Sequence, residues 1–160
     1  MVNYDQEILL FQIQPLSFPV EYFISSLYIY IIILIASLMK NILINNIDNP
    51  LHDPLHVGYC VSFLCRLKGL MFISTFGSDC GLLLVQQKES RVDSSIHMFF
   101  VFFDLAVIWL NSDLQVVDKV IARPWRPAYF PCKPARYILE IKPERLTEFN
   151  KGDRIDFVYE

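Results

Sequence analysis

The sequence has no basic excess: 14 Lys and Arg stand against 17 Asp and Glu, for a formal net charge of -3. A nucleic-acid surface needs concentrated positive charge, so that class of partner is excluded. No G-x-S-x-G elbow, H-E-x-x-H, Walker loop or G-x-G-x-x-G occurs, so the usual signatures of acyl transfer, zinc proteolysis and nucleotide binding are missing. There is no internal repeat and no low-complexity segment, which removes solenoids and tails. At 160 residues the chain has room for one ordinary domain, which argues against a multi-domain enzyme. Lys and Arg are absent from residues 1–38, where Asp5, Glu7 and Glu21 are the only charges.

What is present is an uneven distribution of apolar residues. Mean hydropathy is +0.36, and the excess is concentrated at the N-terminus: residues 1–38 hold 25 apolar residues, about two-thirds of that segment. Residues 39–160 hold 61, half of their length, as in a normal globular domain, and are formally neutral. Residues 22–39 are eighteen uncharged positions, fifteen of them apolar. As a helix they would span about 27 Å, enough to cross a bilayer. A cleavable signal peptide fits less well, because no cation precedes the run and Ala36-Ser37-Leu38 is a poor cleavage signal. A strand of that length would be far too long. The expectation is therefore a single-pass membrane anchor, with Lys40 placing the following domain on the cytoplasmic side. Translation from Met39 would instead give a soluble cytoplasmic domain.

From residue 40 to 159 the chain reads as short strands separated by turn chemistry. Strands are expected at 41–47, 55–61, 81–86, 96–103, 105–110, 114–122, 137–142 and 154–159. Ser62 and Gly69 frame a two-turn helix with Arg66 and Lys68 in its last turn. A second short helix opens at Pro143. Asn111-Ser112-Asp113 reads as a hairpin loop, and Pro124, Pro127, Pro131 and Pro134 as a long, stiff one. Phe99, Phe100, Phe102 and Phe103 occupy both parities of an expected strand, which would place them at the centre of the core. Many short strands with two short helices imply a mainly β domain, a small distorted antiparallel barrel or sandwich.

An ordered set of segments then carries a family resemblance. Arg66-Leu67-Lys68-Gly69-Leu70-Met71-Phe72, Gly81-Leu82-Leu83, Met98, Leu105-Ala106-Val107-Ile108-Trp109-Leu110-Asn111, Pro124-Trp125, Pro134-Ala135-Arg136-Tyr137-Ile138-Leu139-Glu140 and Gly152-Asp153-Arg154 appear in sequence. Over residues 39–159 the chain resembles the prokaryotic domain of unknown function 192. The resemblance implies a compact β-rich fold and brings no reaction with it. Many members carry an Asn-Thr pair two residues after the Met and a Pro-Leu-Asp triplet before the apolar strand. Here those positions hold Phe100 for the Asn, Asp104 for the Pro and Ala106 for the Asp, so any chemistry of those polar groups is lost.

Several constellations carry residue types capable of chemistry. His52, His56, Cys60 and Cys65 combine imidazoles and thiols, the ligand types of zinc, but Pro50 and Pro54 break the helix that would gather the histidines. The set therefore reads as residues of no special role, and no cofactor is expected. Cys60, Cys65, Cys80 and Cys132 are irregularly spaced and read as free thiols on the cytoplasmic side. His97, in an apolar strand, reads as structural rather than as a general base. The most distinctive exposed group is Arg123, Trp125, Arg126 and Tyr129, which can bind a carboxylate or phosphate while stacking a ring. The competing and preferred arrangement has Trp125 plugging the barrel end, with the arginines capping carbonyls or paired with Asp118 and Glu140.

The expected function is a membrane-anchored, non-enzymatic binding or interaction module for a protein or an anionic small molecule. The alternatives are a small hydrolase-like or metal-dependent enzyme built on His97 or the His/Cys group, and a structural subunit of a membrane complex.

Overall fold

A computed structural model describes residues 40–73 and 75–159. The expected membrane helix over 22–39 and the question of a start at Met39 lie outside these residues, and no described helix is long and apolar enough to cross a membrane. The described chain forms β1 (Lys40–Asn46), β2 (Leu55–Cys60), α1 (Phe63–Lys68), β3 (Cys80–Ser90), β4 (Leu105–Leu110), β5 (Val116–Ala122), β6 (Ala135–Ile141), a 3-10 helix (Pro143–Glu148) and β7 (Ile155–Tyr159). The strands make one sheet in the order β5-β4-β6-β3-β2-β1-β7. All pairs are antiparallel except β2 with β3, which are joined across α1 and run parallel. The two edge strands meet at one corner through a single bridge between Gln115 and Arg154, so the sheet is curled but is not a closed barrel.

Side-chain alternation explains which strands are central. Ile42 and Ile44, Leu55 and Val57, Leu83 and Val85, Ala106, Ile108 and Leu110, and Leu139 and Ile141 recur at every second position and form the main core on one face. Phe149, just past the 3-10 helix, is fully buried in that core. In β4 and β6 the intervening residues are also buried, namely Leu105, Val107 and Trp109, and Ile138 and Glu140. Central strands with both faces covered read as continuous apolar runs, as these do. The second face is where the polar Glu140 lies.

Gly81 shows how tightly the centre is packed. A Cβ there would stand 2.7 Å from both the Glu140 carbonyl oxygen and Ile141 Cγ2, and 3.1 Å from Val57 Cγ1. Gly81→Ala is expected to cost roughly 1–3 kcal/mol through overpacking, measured as a lower urea midpoint with an unchanged slope.

The structure departs from the sequence expectations at residues 96–103 and at the cysteines. Residues 96–103 do not form a strand. Met98 bonds through its N–H to the Arg126 carbonyl and through its C=O to the Trp125 N–H, and Phe100 adopts φ 58°, so the chain turns. Phe99, Phe100 and Phe102 consequently emerge on the surface, and the core is built by the sheet strands, β1 to β4 and β6 above all. The thiols are not all free either: Cys60 and Cys65 are joined in a disulfide, while Cys80 and Cys132 remain thiols. Ser62 starts α1 two residues after β2 ends, and this reversal brings the Cα atoms of Cys60 and Cys65 to 5.8 Å.

Candidate functional site

α1 is short but well terminated. Ser62 Oγ accepts from the Cys65 N–H at 3.3 Å, and Gly69, at φ 46°, closes the helix by donating to the Cys65 carbonyl at 2.9 Å. Its basic residues lie in the last turn, where the exposed carbonyls favour cations. Arg66 reaches from there to the carbonyls of Val61 and Val85, which fixes α1 against β3.

The segment 91–101 crosses the same sheet face and is held from several sides. Trp109 Nε1 donates to the Ser94 carbonyl at 2.8 Å, Arg91 Nε donates to the Pro131 carbonyl at 2.9 Å, and Ile96 and Tyr129 exchange backbone bonds. Between this segment and α1 lies a cavity of about 500 Å³, with Leu84, Leu105 and Glu140 contributed by the sheet. Arg66 to Met71 form one wall, and Asp93, Ser95, Ile96, His97 and Val101 form the other. Segments that carry the family resemblance, the one around Gly69 and the one ending at Glu140, therefore meet in space.

Glu140 is the distinctive group. Its Cα neighbours across the sheet are Leu82 on β3 and Val107 on β4, both buried. Burial in that apolar setting raises its pKa from the ordinary 4.5 to about 7. Its Oε2 has no hydrogen-bond partner among the described residues, and neither has His97 Nδ1 on the opposite wall. Gly69 lies against the carboxyl: a Cβ built there would be 3.5 Å from Oε2. Lys68 also lines the cavity, and partial burial lowers its pKa. Such a site can offer a carboxyl that donates or accepts near neutral pH, an imidazole, and cations on the adjacent wall.

The group expected at Arg123, Trp125, Arg126 and Tyr129 is placed differently from the preferred expectation. Trp125 does not plug a barrel end; it is 52% exposed, at φ 63°. Its ring meets Phe100 at 5.6 Å and Phe102 at 5.7 Å, and Phe100 stacks on Phe72 at 4.8 Å. Phe72, Phe100 and Trp125 all have positive φ, a conformation that β-carbon-bearing residues adopt at a cost in local strain. The Phe72 N–H bonds the Phe100 carbonyl at 2.9 Å, and the Trp125 N–H bonds Met98 at the same distance. The arginines do not pair as expected. Asp118 binds Lys151 at 2.7 Å and the Cys132 N–H, and Glu140 lies in the cavity. Arg123 and Arg126 are exposed, and the Tyr129 hydroxyl accepts from the Arg123 backbone N–H at 2.9 Å. The aromatic cluster borders the cavity through the chain: Phe72 follows Met71, and Phe100 precedes Val101.

The His/Cys group is dispersed. Cys60 and Cys65 are bonded to each other, and His52 Nδ1 bonds Asp53 at 2.9 Å. His52 and His56 border a second depression, of about 660 Å³, with Asp79 and Arg145, where Arg145 is engaged by Glu148 and by the Asp53 and Ser78 carbonyls. Among the described residues no cluster of His, Cys, Asp or Glu has the arrangement of a metal site. Sequence reading missed Glu140 as a site residue. The only signal was a lone acid between apolar residues in Ile138-Leu139-Glu140-Ile141.

Comparison with known proteins bears on the family and the fold. The UPF0127 protein TK1120 of Thermococcus kodakarensis is 41% identical over 98 residues, 60% of this chain and 60% of that protein. This chain thus matches about three-fifths of that relative's length. The UPF0127 protein PH1112 of Pyrococcus horikoshii is 40% identical over 97 residues, 59% of this chain and 80% of that protein. Two crystal structures share the fold. One, from Sinorhizobium meliloti 1021 and described as a "putative transcription regulator", gives a TM-score of 0.63 at 20% identity over 74% of this chain and 93% of that one. The other, a protein of unknown function from Novosphingobium aromaticivorans, gives 0.63 at 16% identity over 74% of this chain and 84% of that one. The profile of the uncharacterized family DUF192 matches residues 44–157, so the seven-stranded sheet and the cavity over Glu140 are those of a chain that belongs to the DUF192 family.

Proposed function

We propose that this domain is a non-enzymatic binding module that holds a small polar ligand in the cavity between α1 and the 91–101 segment. The observation that carries the reading is Glu140, a buried carboxyl whose Oε2 has no partner among the described residues. A buried polar group left unpaired costs about 1–3 kcal/mol, and an arrangement that bears such a cost is intelligible when a ligand completes the bond. At about 500 Å³ the cavity falls within the range of small-molecule sites. The exposed cluster of Arg123, Trp125, Arg126 and Tyr129 extends the contact surface beyond the cavity, suited to stacking and to an anionic group on a partner. The apolar run 22–39 tethers this module to a membrane, a reading supported by its length and lack of charge.

The test is a thermal-shift and native mass spectrometry screen of small polar metabolites against the full-length protein and Glu140→Gln. A ligand at a hundred times its Kd stabilises by about 2.7 kcal/mol, so it should raise Tm by several degrees in the parent and not in the variant. A ligand indifferent to Glu140→Gln would move the site elsewhere. One observation favours a second reading, a small hydrolase-like enzyme: His97 and Glu140 line the same cavity, as a general acid–base pair would. Turnover of a bound ester or glycoside, lost in both His97→Ala and Glu140→Gln, would select it. Resistance of the full-length protein to alkaline carbonate extraction tests the tether.

A further inference from the structure

We infer that the ligand of this cavity is a neutral saccharide. The inference rests on the binding reading above and goes on to the chemistry of the lining. Charge comes first. Arg66, Lys68 and Lys88 line the cavity against Asp93 and Glu140, three cations to two acids, so a cationic ligand meets an excess of like charge there and an uncharged one does not.

Hydrogen bonding comes second. Glu140 Oε2 and His97 Nδ1 are buried and without partners among the described residues, and Gln86, Gln87 and Ser95 border the same space. A carboxyl accepts when ionised and donates when protonated, an imidazole nitrogen does either, and side-chain amides do both at once. The group that answers all of them, whatever their protonation, is a hydroxyl. Several hydroxyls on one rigid frame would satisfy separated groups at low entropic cost.

The third feature is an apolar surface at the same site. Phe63 lines the cavity while remaining 67% exposed, and Leu67 beside it is 50% exposed. Single exposed apolar residues are ordinary, but here they adjoin a polar interior. A pyranose has the matching anatomy: hydroxyls around its edge and a C–H face that packs on an aromatic ring. Aliphatic diols lack the face, and ammonium ligands carry the wrong charge.

The experiment is saturation-transfer NMR on the full-length protein in a non-glycosidic detergent. The probes are glucose, galactose, mannose, N-acetylglucosamine and their β-1,4-linked disaccharides, with nucleosides and small alkylamines in parallel. A saccharide should show transfer, and its Kd should rise tenfold or more in both Glu140→Gln and Phe63→Ala. Because Phe63 is on the surface, its replacement keeps the test valid if the Glu140 variant folds poorly. Saccharide binding unaffected by either substitution would overturn the inference. Silence of the saccharides while a nucleoside or amine binds in a Glu140-dependent way would also overturn it, yet leave the binding reading standing. If no probe or screened metabolite binds in a Glu140-dependent way, both readings fail.

Discussion

Replacing Glu140 by Gln should flatten the dependence of stability on pH between about pH 5 and 8. The carboxyl has an ordinary pKa of 4.5 and is raised to about 7 by burial in the fold. Below the lower value it is neutral in both the folded and the unfolded chain, so its full contribution to stability is present. As pH rises towards 7 the unfolded chain ionises first, while the folded protein still holds the proton. Folded stability therefore falls through that window and levels off above it. A shift of this size corresponds to roughly 3 kcal/mol, and at 5% exposure solvent does little to screen it. Gln cannot ionise, so urea denaturation at pH 5 and pH 8 should show the parent losing roughly 3 kcal/mol more than the variant. Equal losses in the two proteins would show that Glu140 is not the buried acid described above. A ligand whose hydroxyl bonds the ionised carboxyl would reduce the parent's loss, which links the stability measurement to the proposed binding site.

Trp109→Ala should be among the most damaging single substitutions in the domain, at roughly 3–5 kcal/mol. The side chain is 1% exposed on the second face of the central sheet, and its indole N–H is bonded to the Ser94 carbonyl. Removing it opens a cavity and leaves a buried carbonyl without its donor. Trp109→Phe separates the two effects, because it keeps most of the ring and loses only the bond, at about 1–3 kcal/mol. The functional consequence follows from the position of Ser94 in the segment that walls the cavity. Faster amide exchange at Ile96 and Val101 is expected in Trp109→Phe, with weaker ligand binding, while β1 and β7 stay protected. Unchanged exchange over residues 94–101 would show that the indole bond does not hold the wall.

Much of the fold was legible from residue patterns. Strands β1, β2 and β4 to β7 fall within a residue or two of their expected places because alternation and turn residues bound them: Asn111 and Asp113 end β4, and Asn111 Oδ1 accepts from the Asp113 and Gln115 N–H groups as a loop-closing side chain should. Ser62 and Gly69 frame α1 as their cap chemistry predicts. Residues 96–103 misled because aromatic density mimics a buried strand. What turns the chain there is the pair of Met98 backbone bonds to Trp125 and Arg126, some 27 residues on, and no local pattern encodes it. Glu140 was obscure for a related reason. Its chemistry comes from being set between Leu82 and Val107, on strands distant in sequence, and that placement is a property of the register. The loop residues Arg123, Trp125 and Arg126 were found by composition, but whether their side chains face inward or outward depended on the same long-range bonds.

The pairing of β1 with β7 sets the timetable on which this domain can form. The first described strand lies between β2 and the last, with Ile42 opposite Tyr159, and Asp48 binds Arg154 at 2.7 Å across 106 residues of chain. On a ribosome, β1 would emerge with one flank unpaired and wait for nearly the whole domain to be made before β7 could cover it. The bridge at Gln115 and Arg154 also depends on that last segment. Folding dominated by such distant pairings is slow, and an uncovered strand flank in the interval invites association between chains. Truncation ahead of Ile155 should therefore yield a chain that aggregates, because it removes the strand that caps this flank.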